Sequence, residues 1–259
     1  MLSFSDLKKD FADGVKGFKE NILKEYIQCK ILEIIFDSKI ASNLSFIGGT
    51  ALRIIYNTNR FSEDIDFDNF NLSEKDFFEV SELVKNRLQL EGFNVEIQTL
   101  SRHNTCHYYI RFPGLLYQNK LSTHVTEKIL IKVDTQSQGF SYVPEKKILK
   151  KFDVLTQINV APIDILLSMK INAILARKRT QGRDFYDVAF ICEQTKPNYD
   201  FLKQKQNISN SKQLKDRLLE KCVKLDFSKL TKDIEPLVFN QNELKKIKLF
   251  KDLVSEVKF

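Results

Sequence analysis

The stretch FIGGTALRIIYNTNRFSEDIDFD spans Phe46–Asp68 and sets the architecture of the chain. It begins inside a short apolar segment, Leu44–Ile47, that reads as a strand. Gly48 and Gly49 break that strand, and Thr50–Tyr56 then has the spacing of a short helix. Beyond it, Asp64, Asp66 and Asp68 alternate with Ile65 and Phe67, so the segment to Phe70 reads as a second strand. A strand sends alternate side chains to one face, which makes the three acids project together. Neighbouring carboxylates repel unless a cation lies between them. Hard divalent ions such as Mg²⁺ take oxygen ligands and leave room for substrate phosphates. A Gly-Gly-Thr turn lets the backbone approach a ligand and aims the free N–H groups of a helix at it. Phosphate cradle and metal-holding acids together are the recurring solution for in-line phosphoryl or nucleotidyl transfer.

Working outward, Ser5–Leu44 reads as helical, with Ile22, Leu23, Tyr26, Ile27, Ile31, Leu32 and Ile35 at helical spacing. Ser73 opens another helix, carried by Phe77, Val80, Leu83, Val84 and Leu88 and ended by Gly92. Strand-like segments follow at Phe93–Leu100, Cys106–Phe112 and Lys128–Asp134. The stretch Gly139–Val160 is mixed, a basic run PEKKILKK followed by the strand-like VLTQINV. Pro162 suits the first turn of a helix reaching about Arg179. Gly182 interrupts, RDFYDVAFICEQ resumes as helix, and everything beyond Asn198 reads as helical and lysine-rich. Asp134, at the end of an apolar strand, is a candidate third acid if its strand lies beside that of Asp64 and Asp66.

The chain has 259 residues, 42 % hydrophobic and 29 % charged, enough for one large or two modest folded domains. No apolar run is long enough to span a bilayer. The opening MLSFSDLKKDFADG is charged where a signal peptide is apolar, so a cytoplasmic location is expected. Cys29, Cys106, Cys192 and Cys222 are scattered and read as reduced thiols. Net charge is +7, and residues 201–259 carry 14 Lys or Arg against 8 Asp or Glu. That excess suits a phosphate backbone, though charge alone equally describes a solvated lysine-rich helix face.

Two blocks carry a family resemblance. GGTALR followed by RFSEDIDFD resembles the first motif of the DNA polymerase β-like nucleotidyltransferases, and within them the AbiEii/AbiGii-type toxins that include the MenT group. KINAILARKRTQGRDFYDVAFI, Lys170–Ile191, resembles that group's helical motif of a lysine, an arginine and Arg-Asp-x-x-Asp. The similarity covers roughly residues 40–195. It implies an α+β fold: a polymerase β-like core with a mixed sheet flanked by helices (1–160), then a mostly helical C-terminal part (161–259) completing the active site. It implies a transferase that moves a nucleoside monophosphate from an NTP with Mg²⁺, or alternatively Mn²⁺. The implied acceptor is RNA, the tRNA 3′ end in better-known relatives. The implied setting is phage defence by abortive infection, with a separately encoded antitoxin.

The residue roles follow, each beside a plainer alternative. Asp64 and Asp66 are the expected metal ligands, with Asp134 as a third ligand or simply a strand-ending turn former. Asp68 is left as a structural or supporting acid. Gly48, Gly49 and Thr50 are expected at the triphosphate, and Arg53 either joins them or pairs with an acid. Lys170 and Arg177, seven apart, share a helical face and either enter a phosphate site or snorkel. Arg183 and Asp187 are placed at the nucleotide or in a simple i,i+4 pair. Lys170 and Asp184 are expected among the catalytic residues, with Asp184 and Asp187 positioning Lys170 or Arg183. His103 and His107 lack the companions a zinc site needs. Ser45 and Ser62 lack the pattern of a nucleophilic serine. Two other functions compete: transfer to a small molecule such as an antibiotic or to a protein side chain, and a degenerate fold that only binds nucleotide or RNA.

Overall fold

The computed structural model describes residues 2–102 and 105–259. The predicted His103 therefore lies outside the described residues. The chain divides into two compact units, one of residues 1–56 and 61–160, the other of residues 57–60 and 161–259.

The first unit is built on a mixed seven-stranded sheet: β1 (Leu44–Ile47), β2 (Ile65–Asn69), β3 (Glu96–Arg102), β4 (Thr105–Pro113), β5 (Lys128–Thr135), β6 (Glu145–Lys151) and β7 (Val154–Val160). Their spatial order is β3-β4-β5-β2-β1-β7-β6. Strands β1 and β2 are antiparallel, while β2 lies parallel to β5 and β1 parallel to β7. The two strands of the opening motif thus occupy the middle of the sheet. Helices α1 (Lys19–Phe36), α2 (Gly48–Tyr56) and α3 (Glu74–Leu90) belong to the same unit.

Period-2 patterning explains how β5 sits. Ile129, Ile131 and Val133 are fully buried and Lys128, Leu130, Lys132 and Asp134 face the other way. On β4, Tyr108, Ile110 and Phe112 join the buried face, and Phe77 of α3 brings its ring to 5.0 Å from Tyr108. Each such large apolar side chain contributes about 1.5–3 kcal/mol on burial. Helix α1 is buried nearly all round, including Glu25, Gln28 and Lys30. Those polar groups persist inside because each is bonded: Lys30, for example, pairs with Glu33 at 2.9 Å and Glu91 at 3.1 Å.

Three local expectations are corrected. The helix read from Ser5 to Leu44 is continuous only over α1; short turns precede it, where Gly14 and Gly17 add backbone entropy that a helix must overcome. The basic run before β7 is a strand, β6. It lies at the sheet edge with only Leu149 buried, so no clean alternation of apolar residues marks it. The helix after Pro162 ends at Ala176, and Arg177 is already extended at ψ 133°.

The second unit holds α4 (Ile163–Ala176), α5 (Gly182–Ile191), α6 (Tyr199–Gln206), α7 (Ser211–Val223), α8 (Phe227–Ile234) and α9 (Phe250–Glu256). Asn198, Asn210 and Asp226 accept bonds from the first-turn amides of α6, α7 and α8, which explains where these helices begin. Gly182 opens α5 where a Cβ would overlap the Leu230 carbonyl of α8. Gly182→Ala is accordingly expected to cost about 1–3 kcal/mol of stability, read by urea unfolding. An unchanged midpoint would show that α8 yields freely.

Among the described residues no helix is long and apolar enough to cross a membrane.

Candidate active site

In the first unit the site begins at Gly48. Its φ is +80°, a conformation L side chains rarely adopt, and a Cβ there would overlap the Asp66 carboxylate. The glycine therefore lets the end of β1, the start of α2 and an acid of β2 converge. Helix geometry leaves the first-turn amides of α2 without intrahelical acceptors, so Gly48, Gly49 and Thr50 can offer backbone N–H groups. The Thr50 side chain is fully buried, and its hydroxyl donates to the Asp64 carbonyl. What Thr50 can present to a ligand is its backbone. From the other side, the Gln28 amide of α1 donates to the carbonyls of Ser62 and Glu63 at 3.0 and 2.9 Å. Thr50 and Gln28 together fix the chain just before β2, and so the position of Asp64.

The acids come from adjacent strands. Asp66 is the register partner of Ile47 on one side and of Asp134 on the other. Asp64, Asp66 and Asp134 are all partly exposed, whereas Asp68 is buried at 1 % exposure and accepts from the Gln138 backbone N–H at 2.8 Å. Asp68 thus holds the segment that follows β5. Lys132, two residues before Asp134 and on the same face, donates to Asp134 Oδ2. Burial works against the Lys132 charge, but Asp134, Tyr109 and Asp64 more than compensate and hold its pKa above the ordinary lysine value. The ammonium therefore sits in the field of two of the predicted metal ligands. Asp134 Oδ1 is buried with no hydrogen-bond donor among the described residues, and His107 Nδ1 stands 3.7 Å away.

These features bear on whether a divalent ion fits. The donors are hard carboxylate oxygens, one is orphaned, and the single Lys132 ammonium offsets only part of their charge. Among the described residues, however, no three His, Cys, Asp or Glu side chains gather closely enough to hold a metal alone. The set suits Mg²⁺ delivered with phosphate ligands, the usual habit of that ion, better than a protein-only cage.

Of the two readings of Arg53, the structure shows the pairing with an acid, and that acid is Glu25 of α1. Arg53 is 6 % exposed, and its Nε donates to Glu25 Oε2 at 2.8 Å while Lys151 donates to the same carboxylate. An arginine on the inner side of α2 has no water, so it takes the buried acid.

In the second unit, Lys170 of α4 lies 2.6 Å from Asp187 and 3.4 Å from Asp184, both on α5. Arg177, past the end of α4, reaches Asp184 at 2.7 Å and Gln181 at 2.6 Å. Arg183 donates to Gln181 rather than to Asp187. The i,i+4 pair is absent because Asp187 is engaged elsewhere: Arg60 forms a two-pronged bond to it, 2.7 Å on each side. Arg60 and Asp187 are essentially unexposed. Burial alone would push the Asp187 carboxyl up, but Arg60 and Lys170 hold it below the usual aspartate value. The cluster contains three permanent cations and two carboxylates, a surplus of one positive charge.

Arg60 received no role in the sequence reading, although it stands inside RFSED. Lys132 was missed too, although a lysine two positions before an acid on an alternating strand must share its face.

Comparison with known proteins identifies the family. The family model described as "Nucleotidyl transferase AbiEii toxin, Type IV TA system" matches residues 30–247. The chain belongs to the AbiEii nucleotidyltransferase toxin family. Membership makes this AbiEii chain a nucleotidyltransferase, and implies an NTP substrate and a separate antitoxin. The fold resembles JHP933 from Helicobacter pylori, with a TM-score of 0.58, 17 % identity, and 91 % of this chain and 90 % of that one covered. It also resembles a candidate nucleotidyltransferase of H. pylori, with a TM-score of 0.59, 17 % identity and 95 % of each chain covered. No curated protein sequence matches the AbiEii chain.

Proposed function

We propose that this toxin transfers a nucleoside monophosphate from an NTP to an RNA acceptor, the tRNA 3′ end, in a phage-defence setting with its antitoxin. The observation that carries the reading is the Gly48 turn pressed against Asp66, with Asp134 as the cross-strand partner. The α2 amides would receive triphosphate oxygens. Asp64, Asp66 and Asp134 would hold Mg²⁺ or Mn²⁺, which when bound neutralises phosphate charge and lowers the pKa of a coordinated hydroxyl. The acceptor hydroxyl oxygen forms the new bond to the α-phosphorus, the α–β bridging bond breaks, and pyrophosphate leaves. Asp134, one of whose oxygens lacks a hydrogen-bond donor among the described residues, would help deprotonate the attacking hydroxyl. Lys170 serves as a phosphate-binding cation that Asp184 and Asp187 hold in place, with Arg177 and Arg183 adding positive charge near it.

The test is incorporation of label from each of the four NTPs into total tRNA with Mg²⁺. Label is expected in tRNA with at least one nucleotide; none with any of the four overturns the reading.

Gly48→Ala probes the turn. The left-handed conformation costs an L residue about 1–2 kcal/mol, and the added methyl displaces Asp66. Transfer is expected to fall about a hundredfold, the scale of a 1 Å misplacement at a reacting centre. A variant that keeps wild-type turnover would detach the turn from catalysis.

A further inference from the structure

The face that carries Asp134 continues away from the carboxylates. Cross-strand register puts His107 of β4 opposite Asp134, Tyr109 opposite Lys132, and Arg111 opposite Leu130. The reverse face of these strands is the buried core, so the outward residues are not needed to hold the sheet. They are nonetheless ordered against one another. The His107 ring meets Tyr109 edge-on, 5.3 Å between centroids at 81°. The Arg111 guanidinium lies 5.8 Å from the Tyr109 centroid and donates to Gln98 at 2.9 Å.

Charge on this face is almost balanced. Lys132 answers Asp134, and Lys128 answers Glu96 at 2.8 Å. Glu96 is the cross-strand partner of Arg111 but is taken up by Lys128, and Arg111 bonds to the neutral Gln98 amide, so two cations share one carboxylate here. Leu130, 45 % exposed beside it, supplies apolar surface. An aromatic ring, an arginine bonded only to a neutral amide and an apolar neighbour suit the bases and phosphates of a single strand, because every base offers a π-face and every linkage a negative charge. Tyr109 lies one strand over and two residues along from Asp134, on the order of 8 Å by sheet geometry. A terminal base stacked there brings its ribose hydroxyls toward the carboxylates.

We propose that the β4–β5 face is the acceptor platform: the 3′-terminal bases of a single-stranded RNA end stack on Tyr109, and Arg111 contacts the adjoining phosphate. The inference rests on transfer to RNA as proposed above, and the test keeps the two apart.

Binding of a fluorescent single-stranded oligoribonucleotide by the full chain is followed by anisotropy. Binding of each Mg²⁺–NTP is measured separately. Tyr109→Ala is expected to weaken oligonucleotide binding at least about fivefold, the lower end for loss of one base–aromatic stack. Tyr109→Phe keeps the ring and should stay within about twofold of wild type. Arg111→Gln should flatten the slope of log affinity against log salt by about 0.7, one phosphate contact on a single strand. NTP affinity should not change in any variant, which also shows that the fold is intact. Wild-type oligonucleotide affinity in Tyr109→Ala overturns the platform. So does an equal loss of NTP affinity, which would assign the face to the donor nucleotide. If tRNA is labelled while Tyr109→Ala binds RNA normally, the platform fails and transfer to RNA stands. If protein is labelled and tRNA is not, both fail.

Discussion

Asp66→Ala is expected to reduce nucleotide transfer about a thousandfold or more, the scale on which metal and transition-state contacts act. Asp66 touches the Gly48 turn and is partnered across the sheet by Asp134, so its removal takes the central oxygen donor from the set. Stability should not fall with activity. Asp66 is partly exposed and stands among other carboxylates, whose mutual repulsion the substitution relieves. Single-turnover transfer with labelled NTP gives the rate, and urea unfolding gives the control. The two readouts separate an enzyme from a module that only binds nucleotide or RNA, which would tolerate the change. Wild-type transfer by Asp66→Ala would falsify the assignment of the site.

Arg60→Met should have the opposite signature, a large loss of stability. The substitution leaves the Asp187 carboxylate buried with Lys170 as its remaining ion-pair partner, and breaking a buried pair from one side costs about 3–5 kcal/mol. Adding Asp187→Leu should recover much of that loss, since removing both members of a buried pair is often close to neutral. Recovery should be incomplete because Lys170 keeps only its 3.4 Å contact to Asp184. The pH dependence has a defined sign. The Asp187 pKa is lowered by folding, so its contribution is complete above the ordinary aspartate value of 3.8 and is lost as pH falls below it toward the folded value. Wild type should therefore lose stability more steeply below that pH than the double variant. A single variant within about 1 kcal/mol of wild type, or identical acid limbs, would remove the pair from the stability account.

Neighbouring Glu243 shows how fully residues 57–60 are integrated into the second unit. Its carboxylate accepts from Asn59 at 3.0 Å, from the Tyr186 hydroxyl at 2.7 Å and from Lys246 at 2.6 Å. The Arg60 guanidinium also lies 5.9 Å from the Tyr186 ring. The segment between the glycine turn and the acids is therefore a structural participant, although by sequence it looks like a plain connection.

Local physics made much of the protein legible from its sequence. Alternation placed Asp66 and Asp68 on one strand with Asp64 just before it, the paired glycines marked the strand-to-helix turn, and Ser73 announced the helix that follows it, because each signal acts over a few residues. Strand order, burial and ion-pair choice were different. Asp68 follows the same alternation as Asp66 yet is covered by the segment after β5, and Arg53 turns inward to Glu25. Arg60 finds Asp187 at a sequence separation of 127 residues. A side chain's partner depends on which remote groups share its dry environment, and only the assembled chain fixes that. The sequence dictated which chemistry was available; tertiary packing decided which charges face solvent and which neutralise one another.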